Sequence, residues 1–532
     1  MRRFTSPWFA VLAVAIFCNS SPGADQPQWG QRDCRNMVSA ERGLSDTFDA
    51  GTRNKAGGID LPPGSHVKWV ARLGNQSYGS PIVAGGRVFV GTNNDVPRDP
   101  RLTGDRGVLM CFDEKTGEFL WQLCLPKLTK IKWSDWHYIG ITSPPTVEGD
   151  RAYLVSNRGE VMCLDVRGMA GGNRGPFIDE GRLMADEGQP PLVPGPKSAD
   201  ILWLYDMPAR LGVTPHNGSN CSILLRGDLL YVCTDQGVEW THSFVPHPEA
   251  PSVIVLDKKT GKLVARDDFG IGPDITHGQW SSLALGQIGP RTLLCYGGGN
   301  GVLYAFEALG PDRGPKGDSP IFAPQKLGQS PAHSGPALLR NVWRFHGHPA
   351  AQTGPPPPPD HQHDSTTYEV TASPVFYKNR VYVAFTQEPF HGMKLGHLAC
   401  IDATLAGDIT RGGQVWSYGQ LGASVSTVAV ADGLVYAADF AGKLHCFDAD
   451  TGKQYWVHEA GGPVWGSPLV ADGKVYLGSG GKQTLWVLAA GRELKIVGRV
   501  RVHDAIYTTP TAANGVLYVA TNKHLYAVSA RR

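Results

Sequence analysis

Short apolar runs recur along the chain, each bounded by glycine, aspartate or asparagine. Seven have the shape x-V-Y-V-x-[ST]: RVFVGT (87–92), RAYLVS (151–156), LLYVCT (229–234), RVYVAF (380–385), LVYAAD (434–439), KVYLGS (474–479) and VLYVAT (516–521). RTLLCYGG (291–298) is a looser copy. A segment such as GSPIV, TSPPTV, ASPVF or GSPLV precedes each run, and a turn such as AGGR, ADGK or AANG lies between. Two extended runs joined this way spell a β-hairpin. Many copies continue into a third run of the MCFD, MCLD or HCFD kind.

A six-residue phrase then repeats: FDEKTG (112–117), LDKKTG (256–261) and FDADTG (447–452). Its Asp can accept bonds from following backbone N–H groups and its Gly can supply a positive φ, so the third strand turns into a fourth. Tryptophan opens that fourth strand at Trp121, Trp203, Trp343, Trp416 and Trp456, where a wide ring can fill space between neighbouring sheets. IDATLAGD (401–408) has lost the tight turn but keeps the strand and its Trp.

Repeated four-stranded units predict a propeller, which hides sheet edges by radial closure. Inner strands start near Ser80, Ser143, Ser222, Ser281, Ser373, Ser426, Ser467 and Thr509, giving eight units. The last unit stops at its third strand, HLYAV (524–528), and HVKWVARLG (66–74) with Trp69 supplies the fourth. The expected fold is all-β: an eight-bladed β-propeller of four-stranded antiparallel blades, its ring closed by an N-terminal strand. The expected layout is a signal peptide (1–24), an N-terminal extension (25–65) and the propeller (66–530), with long insertions at 166–200 and 308–341 and a linker at 346–367.

The pattern D-x-x-T-G-x-x-x-W resembles the tryptophan-docking repeat of the pyrroloquinoline quinone (PQQ) propellers. These include quinoprotein alcohol and glucose dehydrogenases and a propeller lipoprotein of the outer-membrane protein assembly machinery. The resemblance covers roughly residues 66–530 and is strongest to secreted bacterial PQQ-binding-like repeat proteins that carry no assigned reaction. It implies the fold; the motif builds blades and touches no substrate. The cofactors it implies are PQQ and calcium.

Composition changes the picture little. Hydrophobic residues are 41% of 532, and Lys+Arg 50 against Asp+Glu 48 argues against nucleic acid as a partner. Arg2 and Arg3 before the apolar run Trp8–Phe17 read as a secretion signal, with cleavage after Gly23 or Ala24. The run is too short to span a bilayer as a helix. The expectation is export to the periplasm or beyond, as a monomer without a transmembrane segment. Cys111, Cys163, Cys400 and Cys446 hold one repeat position in separate blades, too far apart for disulfides. They read as buried thiols, whereas Cys221 and Cys233 lie on paired strands. No C-x-x-C-H haem motif and no adjacent cysteine pair occur.

Strand alternation places the blade-to-blade segments on one face with the insertions 93–107, 235–251 and 386–397; 166–200, 308–341 and 403–414 fall on the other. The candidate ligand site is the funnel rim these segments form: Tyr78, Trp136, His137, His216, Asn217, His277, Gln279, Trp280, Trp465, His503, Asp504 and Tyr507. Arg98, Arg101, Trp240, His242, Phe390 and His391 flank it. The competing reading is that these aromatics only fill a wide channel. Three histidines from separate blades lack metal-ligand spacing, so no metal site is assigned. His346, His348, His361 and His363 surround a proline run that reads as a linker.

Three functions follow, in order of preference. The first is a secreted binding or scaffold propeller for a small molecule, glycan or protein at the funnel face. The second is a scaffold in outer-membrane protein assembly. The third is a PQQ/calcium dehydrogenase-like oxidoreductase, with Trp280 or Trp465 as stacking floor and Asp95, Asp135, Asp274, Glu388 or Asp504 as carboxylates.

Overall fold

The structure, a computed structural model, describes residues 23–128, 134–310, 336–356, 367–388, 392 and 394–529. Outside the described residues lie the expected signal segment to residue 22, residues 311–335 of the second long insertion, and the proline-rich stretch 357–366 with His361 and His363.

Hairpin chemistry builds each sheet. In the first blade Ile82–Ala84, Arg87–Asn93, Arg106–Asp113 and Phe119–Pro126 pair antiparallel in chain order. Seven more sheets repeat this order, with inner strands Thr146–Glu148, Leu224–Arg226, Ala284–Ile288, Val375–Tyr377, Ala429–Ala431, Leu469–Ala471 and Thr511–Ala513. The ring closes as the sequence implies: Val67–Arg72 is the outer strand of the eighth blade, with Trp69 opposite Ala527 and Arg72 opposite His524. The result is an eight-bladed β-propeller.

The repeated phrases explain how blades cohere. Asp113 Oδ1 accepts bonds from the Lys115 and Thr116 N–H groups and from the Thr116 hydroxyl, 2.8–3.0 Å away. These bonds, the Thr116 hydroxyl's first, hold its carboxyl below the usual range. Asp257 and Asp448 make the same three bonds. Into each turn docks the preceding blade's tryptophan. The indole N–H of Trp69, Trp121, Trp203, Trp343, Trp416 and Trp456 donates to the carbonyl of Glu114, Val166, Lys258, Ala403, Ala449 and Gly491, respectively, at 2.9–3.2 Å.

A β-bulge between the third and fourth strands of every blade aims that ring; in the first blade the register shifts between Cys111 and Phe112, leaving Leu120 as the extra residue before Trp121. Opposite each tryptophan stands a small residue: Cys111, Cys163, Ala305, Cys400, Cys446 or Ala527. The two blades without the tryptophan, which carry Ala265 and Gly498 there, place Val255 and Val487 opposite. A β-branched residue thus stands opposite only where no indole has to be accommodated.

The Ser-Pro segments form a second belt around the axis. The N–H of Ser222 donates to Ser282 Oγ of the next blade, and the relay continues through Ser373, Thr427, Ser467 and Thr509 to Ser80 at 2.9–3.0 Å. Pro144 holds the corresponding place in the second blade.

An N-terminal plug was not foreseen. Residues 24–41 cross the channel at the end opposite the funnel and bond to all eight blades. Backbone partners are Val83, Val147, Leu285, Phe376, Val470 and Asn514. The Asn36 amide exchanges two bonds with the backbone of Val430. Arg35 reaches the carbonyls of Ser222 and Leu283 at 2.7 and 3.0 Å, and burial pushes its guanidinium down to about 10. Further on, Asp46 runs over Gly498, where any Cβ would meet the Asp46 carbonyl, and Phe48 packs on Tyr526.

All nine described cysteines are reduced thiols, eight of them buried. Cys221 and Cys233 are not bonded; the Cys233 N–H points at the Cys221 sulfur at 3.2 Å. Titration in denaturant without reductant should find nine thiols per mature chain.

Gly452 holds φ +72° with a Cβ position 2.6 Å from the Trp416 ring, whereas Gly433 at φ +75° has open space. Gly433→Ala should cost about 1–2 kcal/mol from backbone alone, and Gly452→Ala clearly more, read from denaturant midpoints. Arg35→Ala, which leaves buried carbonyls without a donor, should cost more than about 3 kcal/mol.

Candidate functional site

The eight-bladed ring is wide, and the plug turns its channel into a cup. A cavity of about 430 Å³ opens on the funnel side. Its floor includes Trp29, whose indole N–H donates to Thr509 Oγ1 at 3.2 Å. Its wall carries belt residues Ser80, Ser282, Ser373, Thr427, Ser467 and Thr509.

Six of the twelve expected rim residues line this cavity: Tyr78, Trp136, Asn217, Trp280, Trp465 and Tyr507. Tyr78 and Tyr507 stack at 5.3 Å, and Trp465 meets Tyr78 edge-on at 5.2 Å. Burial, with Tyr507 adding to it, pushes the Tyr78 phenol up, so that it stays a neutral hydrogen-bonding group. Trp280 donates its indole N–H to the His216 carbonyl at 3.1 Å, which fixes the ring against the wall.

The other six stand elsewhere. Gln279 is sealed in the interior, bonded to Ser252 at 2.9 Å and to the Tyr296 hydroxyl. His137 is exposed and does not line this cavity. The N-terminal segment engages His503 and Asp504: His503 Nε2 lies 3.0 Å from the Gly51 carbonyl, and Asp504 pairs with Arg53 at 2.8 Å and His524 at 3.2 Å. This segment is the element that sequence alone could not place, because it carries no repeat.

His216 and His277 are buried behind Trp280, whose ring lies 5.0 Å from that of His277. His242, from the insertion in the third blade, joins them; its Nε2 is 3.1 Å from His216 Nε2, and His216 Nδ1 is 2.8 Å from the Val238 carbonyl. The ligand atoms of the three imidazoles all lie within 4.8 Å of one another, as do those of His277, Glu369 and Glu388. Glu369 is 1% exposed, and burial, then the neighbouring Glu388, push its carboxyl well above the usual range. Sequence reading missed Glu369, which stands four residues before Ser373 in the connection to the fifth inner strand.

Of the flanking residues, Trp240 is exposed, Arg98 bonds the Arg72 carbonyl and Arg101 pairs with Asp99 at 2.7 Å. Phe390 and His391 lie outside the described residues. His346 ends the outer strand Asn341–His346, and His348 caps the short helix Pro349–Gln352; both border an outer cavity of about 630 Å³ with Asp274 and Tyr368. Asp135 is paired with Lys127 and Asp95 is exposed.

Residues 394–494 match the family described as outer membrane protein assembly factor BamB. No curated protein matches the chain. Among solved structures, BamB from Moraxella catarrhalis superposes with a TM-score of 0.50 at 13% identity, covering 87% of this chain and 97% of that one. Quinohemoprotein alcohol dehydrogenase from Comamonas testosteroni gives 0.57 at 12%, covering 97% and 82%. A europium-containing methanol dehydrogenase gives 0.53 at 12%, covering 93% and 90%. At such identities the likeness is one of fold, and the fold is that of the PQQ-repeat propellers. Among the described residues no helix is long and apolar enough to cross a membrane.

PQQ and calcium would both need charged partners in the funnel. PQQ is a tricarboxylate and calcium a hard cation that takes oxygen ligands, largely carboxylates. The described lining has no Arg, Lys, Asp or Glu. The funnel does not fit that pair.

Proposed function

We propose that this chain is an exported β-propeller binding protein that takes a neutral, hydroxyl-rich small molecule or glycan into the funnel. One observation carries the reading: a dead-end cup whose described lining is uncharged, with aromatic faces at its mouth and a ring of hydroxyls in its wall. Aromatic rings offer flat apolar surface to a sugar's C–H face, and the hydroxyls supply hydrogen bonds that orient it. The cup is a binding shape.

Outer-membrane assembly is the second reading, favoured by the family match at 394–494. Under it the exposed rim, including Trp136 and Trp240, would meet a protein, and the cup would be incidental.

Calorimetric titration with a panel of neutral oligosaccharides separates the two. Binding is expected, and Trp465→Ala or Tyr78→Ala should each weaken it by about 2 kcal/mol or more while the circular-dichroism spectrum is unchanged. No heat across the panel, or binding indifferent to both substitutions, rejects the cup and leaves the assembly reading.

A further inference from the structure

We propose that His216, His242 and His277, with Glu369 and Glu388 beside them, form a binding site for one divalent first-row transition ion of the zinc class. The site lies behind the funnel wall and stands whether or not the cup takes a sugar.

The donor set is the first argument. Three imidazoles brought within 4.8 Å of one another by three separate segments are a costly way to pack a propeller, since each ring carries polar nitrogens into a poorly solvated place. His216 Nδ1 sits 2.8 Å from the Val238 carbonyl. With the proton on Nδ1 donated there, the Nε2 lone pair is turned toward His242, the outer-sphere arrangement that orients a metal-binding imidazole. The Nε2 atoms of His216 and His242 are then 3.1 Å apart, close enough to share one ion.

The carboxylates are the second and independent argument. Neither oxygen of Glu369 finds a hydrogen-bond donor among the described residues, although the side chain is almost wholly buried. Another carboxylate, Glu388, places a ligand atom within 4.8 Å of its own. A buried acid with no donor, beside a second acid and a histidine, calls for a cation. His277 belongs to both groups and joins the carboxylate pair to the imidazole trio.

Imidazole with carboxylate selects the ion class. Nitrogen donors suit zinc, copper, iron and nickel, whereas calcium and magnesium prefer all-oxygen cages. The ion would neutralise Glu369 and Glu388, lock the insertion carrying His242 onto the third blade, and stiffen the wall behind Trp280.

The test uses the mature chain prepared without an affinity histidine tag, stripped with a chelator and titrated with Co²⁺, whose visible ligand-field absorption reports coordination. One equivalent should bind per chain, be displaced by Zn²⁺ and resist Ca²⁺, and Zn²⁺ should raise the melting temperature of the stripped protein. His242→Ala changes a partly exposed loop and leaves the blades intact; it should weaken Co²⁺ at least about tenfold. Glu369→Gln should weaken it too, with an unchanged circular-dichroism spectrum. No saturable uptake, or equal uptake and equal melting shift in the parent and both variants, overturns the site.

Discussion

Six of the eight blades are held to the next by an indole resting in a turn, and much of the ring follows from that contact. The turn must offer a carbonyl to the indole N–H and a glycine floor to the ring. The D-x-x-T-G phrase supplies both, because its Asp ties down the N–H groups that would otherwise compete and its Gly adopts φ near +70°. The bulge ahead of the tryptophan and the small residue opposite it are accommodations to the same ring. The tryptophan is missing only where the following blade lacks the turn. The third blade faces a fourth whose turn is replaced by the long 308–341 connection, and there Ala265 pairs in parallel with Ala337 from that connection. The seventh faces the eighth, where the two chain ends stand in place of a turn, and Asp46 covers Gly498.

Eight blades make a channel too wide for side chains alone to fill. The competing reading gave this task to the rim aromatics, but residues 24–41 cross the channel and bond to every blade. A peptide strand across the axis brings its own donors and acceptors, which would be costly unless every blade answered them. Each blade does, using backbone groups at or beside its short inner strand, and the Arg35 and Asn36 side chains make the bonds to the third and sixth blades. Plugging one end leaves the other as a cup, so the cup is a by-product of closing the ring.

Periodicity made the blades legible. Hairpin turns, the D-x-x-T-G phrase and the tryptophans recur, so strand count, ring closure and the buried thiols at the Cys111 position could be read from residues alone. The plug could not, because Gln26, Arg35 and Asn36 belong to no repeat and act once each. His503 and Asp504 were misplaced for the same reason, since their partners Gly51 and Arg53 lie in that unrepeated segment. Tyr78, Trp465 and Tyr507 reach the cup because they precede inner strands, a position the repeat fixes. Glu369 lies in the connection before an inner strand, as His277 does, but was passed over, as a lone acid in TTYEVTASP carries no signal until the fold sets it beside Glu388.

Departures from the repeat are concentrated in one arc of the ring. The sixth blade keeps the motif intact, with Asp448, Gly452 and Trp456 all in place. The third has lost its tryptophan, gained the 235–251 insertion and holds His242, Asp235 and, just before it, Asn217 at positive φ. The fourth has lost its tight turn. Sequence rules that build a fold are expected to fail where something other than folding is being served. Histidines 216, 242 and 277 and glutamates 369 and 388 all come from this arc, on the connections that alternation sends to the funnel face. A propeller needs none of these groups to close, and buried acids weaken it. Their collection behind Trp280, in the arc where the repeat is least kept, supports the proposal that this side of the funnel is the working side.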